Sequence, residues 1–434
     1  MTFFSLSRLD MTRPCLTRHV RGLAAACVAL VLLPLAPATR PLAAQTRGGV
    51  IPGIEVLLSD SLHLVRGKRV GLITNHSGRD RQGTSSIDLL FKAPGVSLTA
   101  LFGPEHGIRG AARAGEKIAN SVDGKTGVKV YSLYGTVETP TPEMLDEVDV
   151  LVYDIQDVGA RVYTYPWTLA LTAAAAGKPI IVLDRPNPIR ADRFEGNILD
   201  LRFRSLVGQH AVALRYGLTV GELMRFLVGT RALTATVTVV PMKHYRRAMW
   251  FDETGLPRVN PSPNLRTPDA ELLYPGTVFF EGTNATEGRG TDAPFQLIGA
   301  DYLTDHVALA GRLNALKLGG VRFDTATRTI APGYKFAGKT IPMIKVVVTD
   351  RNAVRPVEVG VRLLRAFRAA HPTEFAWREP TVNAPTRVRG IDRLAGTDAL
   401  TKAVDDGTIE VLLRQWNADA MKFEASVKPY LLYR

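Results

Sequence analysis

The sequence predicts an α/β fold, with a parallel sheet covered on both faces by helices, followed by a smaller α+β domain. Three observations predict it. Apolar runs and helical stretches alternate from about Ile51 to Val240. The apolar runs are continuous rather than alternating, as strands buried on both faces require. The pattern then breaks at Asn260-Pro-Ser-Pro-Asn264, a rigid polar connector.

The elements follow in order. Arg69–Thr74 reads as a strand, Ser85–Lys92 as a short helix, Val96–Phe102 as the second strand and Val128–Leu133 as a third. Thr141–Glu147 is helical, with Thr141 as a candidate cap and Pro142 in the first turn. Val148–Asp154 is a strand, and Thr164–Ala176 is an Ala-rich helix stopped by Gly177. Pro179–Asp184 (strand), Thr219–Gly229 (helix) and Thr234–Val240 (strand) complete the first part. Beyond the connector, Asp305–Leu316, Glu358–Ala370 and Leu400–Trp416 are helical and Met343–Val348 is a strand.

In a parallel sheet the C-terminal ends of these strands share one edge, where open α/β sheets place their chemistry. The first strand runs into Asn75-His76-Ser77, and the second into Gly103-Pro-Glu105-His106-Gly107. Others run into Asp154-Ile-Gln-Asp157 and Asp184-Arg185-Pro-Asn187-Pro188. A carboxylic acid beside an imidazole on a tight turn suits acid–base work, so Glu105 and His106 are the first catalytic candidates, with Asp154 behind them. The bland reading is that Glu105 and His106 brace the turn and that strand-to-helix loops are polar anyway. Farther on, Phe279–Asp292 packs Gly, Asn, Glu and Arg into one stretch. Its glycines allow close backbone approach, and Asn284, Glu287 and Arg289 offer donors and acceptors to a polyhydroxylated or anionic ligand. The competing reading is a long turn with ion-paired side chains.

Several classes lose support. No Gly-x-Gly-x-x-Gly follows the first strand, no Gly-x-Ser-x-Gly elbow is present, and no His-Glu-x-x-His or Cys/His cluster appears. His76 and His106 could share a metal with Asp154 or Asp184, on spacing too unspecific to predict one; no metal and no cofactor are expected.

The N-terminus reads as a secretory signal. Arg8, Arg13, Arg18 and Arg21 precede the apolar run Leu23–Leu35, and small residues lead to a cleavage site near Ala44. A lipid anchor on Cys27 and an uncleaved membrane anchor are the competing readings. Both cysteines, Cys15 and Cys27, lie in this segment, so the mature chain has no thiol to pair. The product is expected to be exported, periplasmic or secreted, with no stable membrane insertion after cleavage. Of the +13 formal charge, the signal accounts for Arg8, Arg13, Arg18, Arg21 and Arg40 against Asp10, so the mature chain stays basic. A basic exported protein suits a polyanionic envelope partner. Nucleic acid is not expected, because no dense Lys/Arg run or aromatic-basic platform is present.

Taken together, Gly71-Leu-Ile-Thr-Asn-His76, Gly103-Pro-Glu-His-Gly107, Tyr153–Tyr165, Asp184-Arg-Pro-Asn-Pro188 and Glu281–Thr291 make the chain resemble the exo-β-N-acetylmuramidases of the NamZ type. Pro429-Tyr-Leu-Leu-Tyr433 adds to the likeness, which covers nearly all of the mature chain. One departure is Val162, where the family pattern has an aromatic ring. The resemblance implies a Rossmann-like domain joined to a C-terminal domain, with the site in the cleft between them. It also implies release of N-acetylmuramic acid from the non-reducing end of peptidoglycan-derived saccharides, with Glu105 as the catalytic glutamate. The expected division is a signal at 1–44, a catalytic domain at 48–275 and a cleft-completing domain at 276–434.

Glycosidic cleavage needs an acid at the leaving oxygen and a second group for the oxocarbenium-like charge. Asp154, Asp157 and Glu287 are candidates for the second role, as is the substrate's own acetamide. The lactyl carboxylate wants an arginine fork, for which Arg161, Arg185 and Arg289 are candidates. Tyr163 and Tyr165 could stack on the sugar. Asn75, His76, Asp184, Asn187 and Asn284 complete the expected binding set. Another envelope hydrolase and a non-catalytic binder of wall sugars are the competing classes; an acid at Glu105 speaks against a plain binder.

Overall fold

The computed structural model describes residues 49–109, 116, 119–380 and 387–434. The segment read as a signal lies outside the described residues.

The strands are β1 (Arg69–Thr74), β2 (Ser97–Gly103), β3 (Ser121–Val122), β4 (Lys129–Ser132), β5 (Val150–Asp154), β6 (Ile180–Leu183), β7 (Glu195–Ile198), β8 (Ala213–Arg215), β9 (Val237–Val240), β10 (Leu297–Gly299), β11 (Val321–Thr329) and β12 (Thr340–Val348). Seven form one sheet in the order β3-β4-β2-β1-β5-β6-β9. All its pairings are parallel except β3–β4 at the edge. β5 and β6 are buried at every residue, and β1 at all but the first, which is why they read as unbroken apolar runs. The chain moves outward from β1 through β2 and β4, then returns to the other side of β1 for β5, β6 and β9. That reversal is a topological switch point between β1 and β5, flanked by the loops that follow those two strands, with the loop after β2 one strand farther out.

Helix starts follow local chemistry. Ser85 caps Ser86–Lys92, accepting from the Ile87 amide at 3.3 Å. Thr219 and Glu222 make a reciprocal capping box at the head of Val220–Gly229. The helix expected at Thr141–Glu147 is only Pro142–Leu145, and Thr141 makes no side-chain cap to it. The stretch Leu400–Trp416 is two helices, Ala399–Asp406 and Ile409–Val427, broken at Gly407 with φ 75°.

The C-terminal part carries the antiparallel sheet β10-β12-β11. β11 was not anticipated. Phe323 is its only fully buried residue and polar residues interrupt the rest, so it lacks the unbroken apolar signature of a buried strand. The boundary expected after residue 275 falls inside helix Pro268–Thr277, and the larger core runs continuously from Ile73 to Val427. The last residues return to the first part. The Tyr433 hydroxyl donates to Asp184 at 2.6 Å, and the Leu432 amide donates to Glu222 at 2.9 Å.

Helices Pro268–Thr277 and Pro356–Ala370 touch backbone to backbone at Gly276 and Gly360; a Cβ on Gly276 would collide with the Pro356 carbonyl. This crossing sets where the chain enters residues 278–291. Gly276→Ala is expected to cost roughly 1–3 kcal/mol as an overpacked contact. Gly311→Ala, in a helix with open space around it, should gain about 0.5–1 kcal/mol. Opposite shifts of the thermal midpoint check the pair, and an unchanged Gly276→Ala midpoint would show that the crossing can relax.

Candidate active site

Glu105 leaves β2 on a tight turn, closed by the Gly107 amide on the Pro104 carbonyl at 2.9 Å. His106 and Gly107 both take left-handed backbone, φ 70°. For a histidine this costs roughly 1–2 kcal/mol, so the turn is held by its surroundings rather than by local preference. The Thr164 hydroxyl, at the end of the loop after β5, donates to Glu105 Oε2 at 2.9 Å. The Tyr134 phenol, from the loop after β4, also hydrogen-bonds this carboxyl. Burial, and then the charge of Glu105, push the phenol above its ordinary value, so Tyr134 remains a proton donor. Three loops from the strand ends thus converge on one half-buried acid.

Glu105 and His106 line a cavity of about 390 Å³ together with Tyr134, Tyr163, Thr164 and Val162. That volume lies within the range of roughly 300–1,000 Å³ usual for small-ligand sites. The C-terminal part adds Tyr274, Glu281, Arg289 and Phe295 to the lining. The segment 281–291 and the β2 turn therefore face the same space. Arg289 is fixed there by Glu281 (2.6 Å), by Glu287 (3.3 Å) and by stacking 5.2 Å over the Phe295 ring. Burial works against its charge, but the two carboxylates hold its pKa above the ordinary value. Its Nε has no hydrogen-bond partner among the described residues. Burial pushes the Glu281 carboxyl up; Arg289 pulls it down and Glu287 adds to the rise.

Tyr163 lines the cavity, its hydroxyl donating to the Pro261 carbonyl at 2.8 Å. Tyr165 packs edge-on against Tyr163 at 4.6 Å and is fully buried, reaching the same carbonyl at 3.3 Å. It supports the wall rather than forming it.

Much of the expected set is placed elsewhere, for one physical reason. The loops at the sheet edge are themselves buried, and their backbone groups must be satisfied from within. Asp154, expected at the chemistry, is fully buried in a pair with Arg185 and takes a further bond from Ser86. Arg185 also donates to the Arg79 carbonyl at 2.6 Å. Arg161 is fully buried and spends its guanidinium on the carbonyls of Asn197, Val212 and Ala395 at 2.7–3.0 Å. Neither arginine lines the cavity. Asp157 accepts from Tyr216 and from the Gly159 amide, and burial raises it to about 6. Asp184, likewise raised to about 6 by burial, accepts from Tyr433, Thr219 and the Gly221 amide.

Asn75 folds its carbonyl back onto Ser77, and Asn187 holds the Leu218 carbonyl and the Ile189 amide. His76 meets the Asn260 carbonyl at 2.7 Å, and burial lowers its pKa. Among the described residues, no three His, Cys, Asp or Glu side chains are grouped as a metal would need, His76, His106, Asp154 and Asp184 included. Asn284 ties the segment to Glu374 and Ala376, and Glu287 stands behind Arg289. Sequence reasoning missed Tyr134, Thr164, Tyr274, Glu281 and Phe295. Two of them had a signal, Thr164 inside the motif at 153–165 and Glu281 as the first residue of the motif at 281–291.

Residues 70–269 match the N-terminal model of the family described as exo-β-N-acetylmuramidase NamZ, and residues 272–433 match its C-terminal model. The chain is 42% identical over 386 residues to the peptidoglycan β-N-acetylmuramidase NamZ of Bacillus subtilis (strain 168), covering 88% of this chain and 91% of that protein. Two crystal structures of DUF1343 family proteins from Bacteroides fragilis are similar. One is 34% identical, with a TM-score of 0.81 over 89% of this chain and all of that one. The other is 29% identical, with a TM-score of 0.67 over 89% and 99%.

Proposed function

Because this chain belongs to the NamZ exo-β-N-acetylmuramidase family, we propose that it is an exported enzyme acting on peptidoglycan fragments. It is a glycoside hydrolase. In this reading it hydrolyses the β-1,4 bond of non-reducing-end N-acetylmuramic acid, with Glu105 as general acid. The observation that carries the reading is Glu105, held by Thr164 and Tyr134, facing Glu281 and Arg289 across one cavity.

The chemistry follows from the placement. Glu105 delivers its proton to the glycosidic oxygen as the bond breaks. Thr164 and Tyr134 fix the carboxyl, so no rotamer freedom is lost at that step. Glu281 is the second carboxyl on the cavity wall and replaces Asp154, Asp157 and Glu287 as candidate for meeting the charge at the anomeric carbon. Tyr163, Tyr274 and Phe295 give the sugar an apolar face to lie on. Arg289, of the three arginines considered, is the one on the cavity wall and would read the lactyl carboxylate. Export rests on the basic-then-apolar N-terminus.

A direct assay uses a chromogenic β-N-acetylmuramide beside the matching β-N-acetylglucosaminide. Release from the muramide in clear excess is expected. Equal rates would redirect the reading to a general hexosaminidase, and no release from either would redirect it to a binder.

A further inference from the structure

The cavity wall bearing Glu281 and Arg289 is held from behind by one lysine. Lys335 projects from the β11–β12 connection, and its Nζ donates to the backbone carbonyls of Ala285 (2.8 Å), Phe280 (3.0 Å) and Thr283 (3.0 Å). The carbonyl of Glu281 stands at 3.4 Å, and Glu287 Oε2 at 3.6 Å. An ammonium has three N–H groups, so the oxygens outnumber the donors. Main-chain carbonyls turned onto a single positive charge are how proteins hold bare monovalent cations. Here the cation is covalently attached.

The attachment is equally specific. The Ala331 amide donates to the Gly290 carbonyl at 3.0 Å, and Gly290, with φ 85°, sits so close that a Cβ would press on the Tyr334 ring. The connection is thus docked on both ends of the segment that carries Arg289. Charge adds a second tie. Glu281 and Glu287 face Arg289 and Lys335, two of each sign in one half-buried cluster. Burial lowers the pKa of Lys335, and Glu287 pulls it back up.

We propose that Lys335 is a positioning residue whose ammonium occupies a preformed monovalent-cation site, and that this charge orders residues 280–287 so that Glu281 and Arg289 face the sugar. The kinetic arm rests on the muramidase reading; the binding arm does not. Lys335→Ala empties the site and leaves room for a small cation. It is expected to raise KM on the chromogenic muramide at least about tenfold, with a smaller change in kcat, the scale of a lost charged hydrogen bond. Ammonium or potassium chloride should recover most of that loss. Tetramethylammonium chloride at the same ionic strength, too large to enter, should not. Without any substrate, the thermal midpoint of Lys335→Ala should rise with ammonium concentration while that of the wild type stays flat, as linkage to a folded-state site requires.

Lys335→Met keeps the stem, fills the channel and removes the charge. It should show the raised KM with no rescue by any cation, and it also decides the matter if Lys335→Ala fails to fold. A wild-type KM in either variant overturns the proposal. So does a Lys335→Ala protein whose midpoint and KM ignore ammonium. If the wild type cleaves no muramide, the functional reading fails while the midpoint titration still reports on the cation site.

Discussion

Glu105→Gln should fold normally and lose at least about a hundredfold in kcat, the usual scale of general acid catalysis. The amide oxygen can still accept from Thr164, and the Tyr134 hydroxyl can turn to accept from the amide nitrogen, so the turn and the thermal midpoint are expected to survive. What it cannot do is deliver a proton. A substrate with a very good leaving group, such as a dinitrophenolate, needs none and should recover much of the loss. Glu281→Gln separates the two carboxyls. If Glu281 acts at the anomeric carbon, its variant stays slow whatever the leaving group. The reverse assignment is a concrete competitor, because burial raises the Glu281 carboxyl, the property an acid wants. Leaving-group rescue in Glu281→Gln but not in Glu105→Gln would exchange the two roles. Near-normal turnover in a folded Glu105→Gln would remove it from the chemistry.

The sheet was legible because its central strands are buried on both faces and leave no room for polar residues. The turn at Glu105 was legible because Pro, Glu, His and Gly cannot continue a buried strand. The rest of the sheet edge is engaged away from the cavity for a reason that can be stated. Asp154, Arg161, Asp184 and Asn187 stand at strand ends as expected, but they satisfy buried loop backbone and one another. In a sequence, a polar residue serving a buried carbonyl looks the same as one serving a ligand. Tyr134, Tyr274 and Phe295 were invisible because a single aromatic carries no charge or motif that separates a ligand contact from packing. β11 was missed because only Phe323 along it is fully buried, so it shows no apolar run.

The arginine that should set sugar preference is the one whose neighbours most oppose the task. Arg289 already faces Glu281 and Glu287, and a lactyl carboxylate would be the third anion around it. Two features make the third acceptable. Lys335 stands 3.6 Å from Glu287 and offsets part of its charge. The carboxyl of Glu281 is pushed up by burial, so an arriving anion can be met by proton uptake there. The Nε of Arg289 is meanwhile a buried donor without a hydrogen-bond partner among the described residues, and satisfying it recovers a desolvation cost. Arg289→Lys keeps the charge but loses the fork, and the preference for muramide over glucosaminide should fall about ten- to a hundredfold. Activity on the glucosaminide, which has no lactyl group, should change little. The pH dependence has a defined sign. As pH rises through the Glu281 ionisation, the new carboxylate competes for Arg289, so KM for the muramide should rise while KM for the glucosaminide does not. The two substrates, run side by side across pH in the wild type and in Arg289→Lys, check both statements. A wild-type ratio in the variant would mean that the carboxylate is read elsewhere. Arg161 and Arg185 are the less favoured readers, because neither lines the cavity and each is hydrogen-bonded inside the loops that hold the site in place.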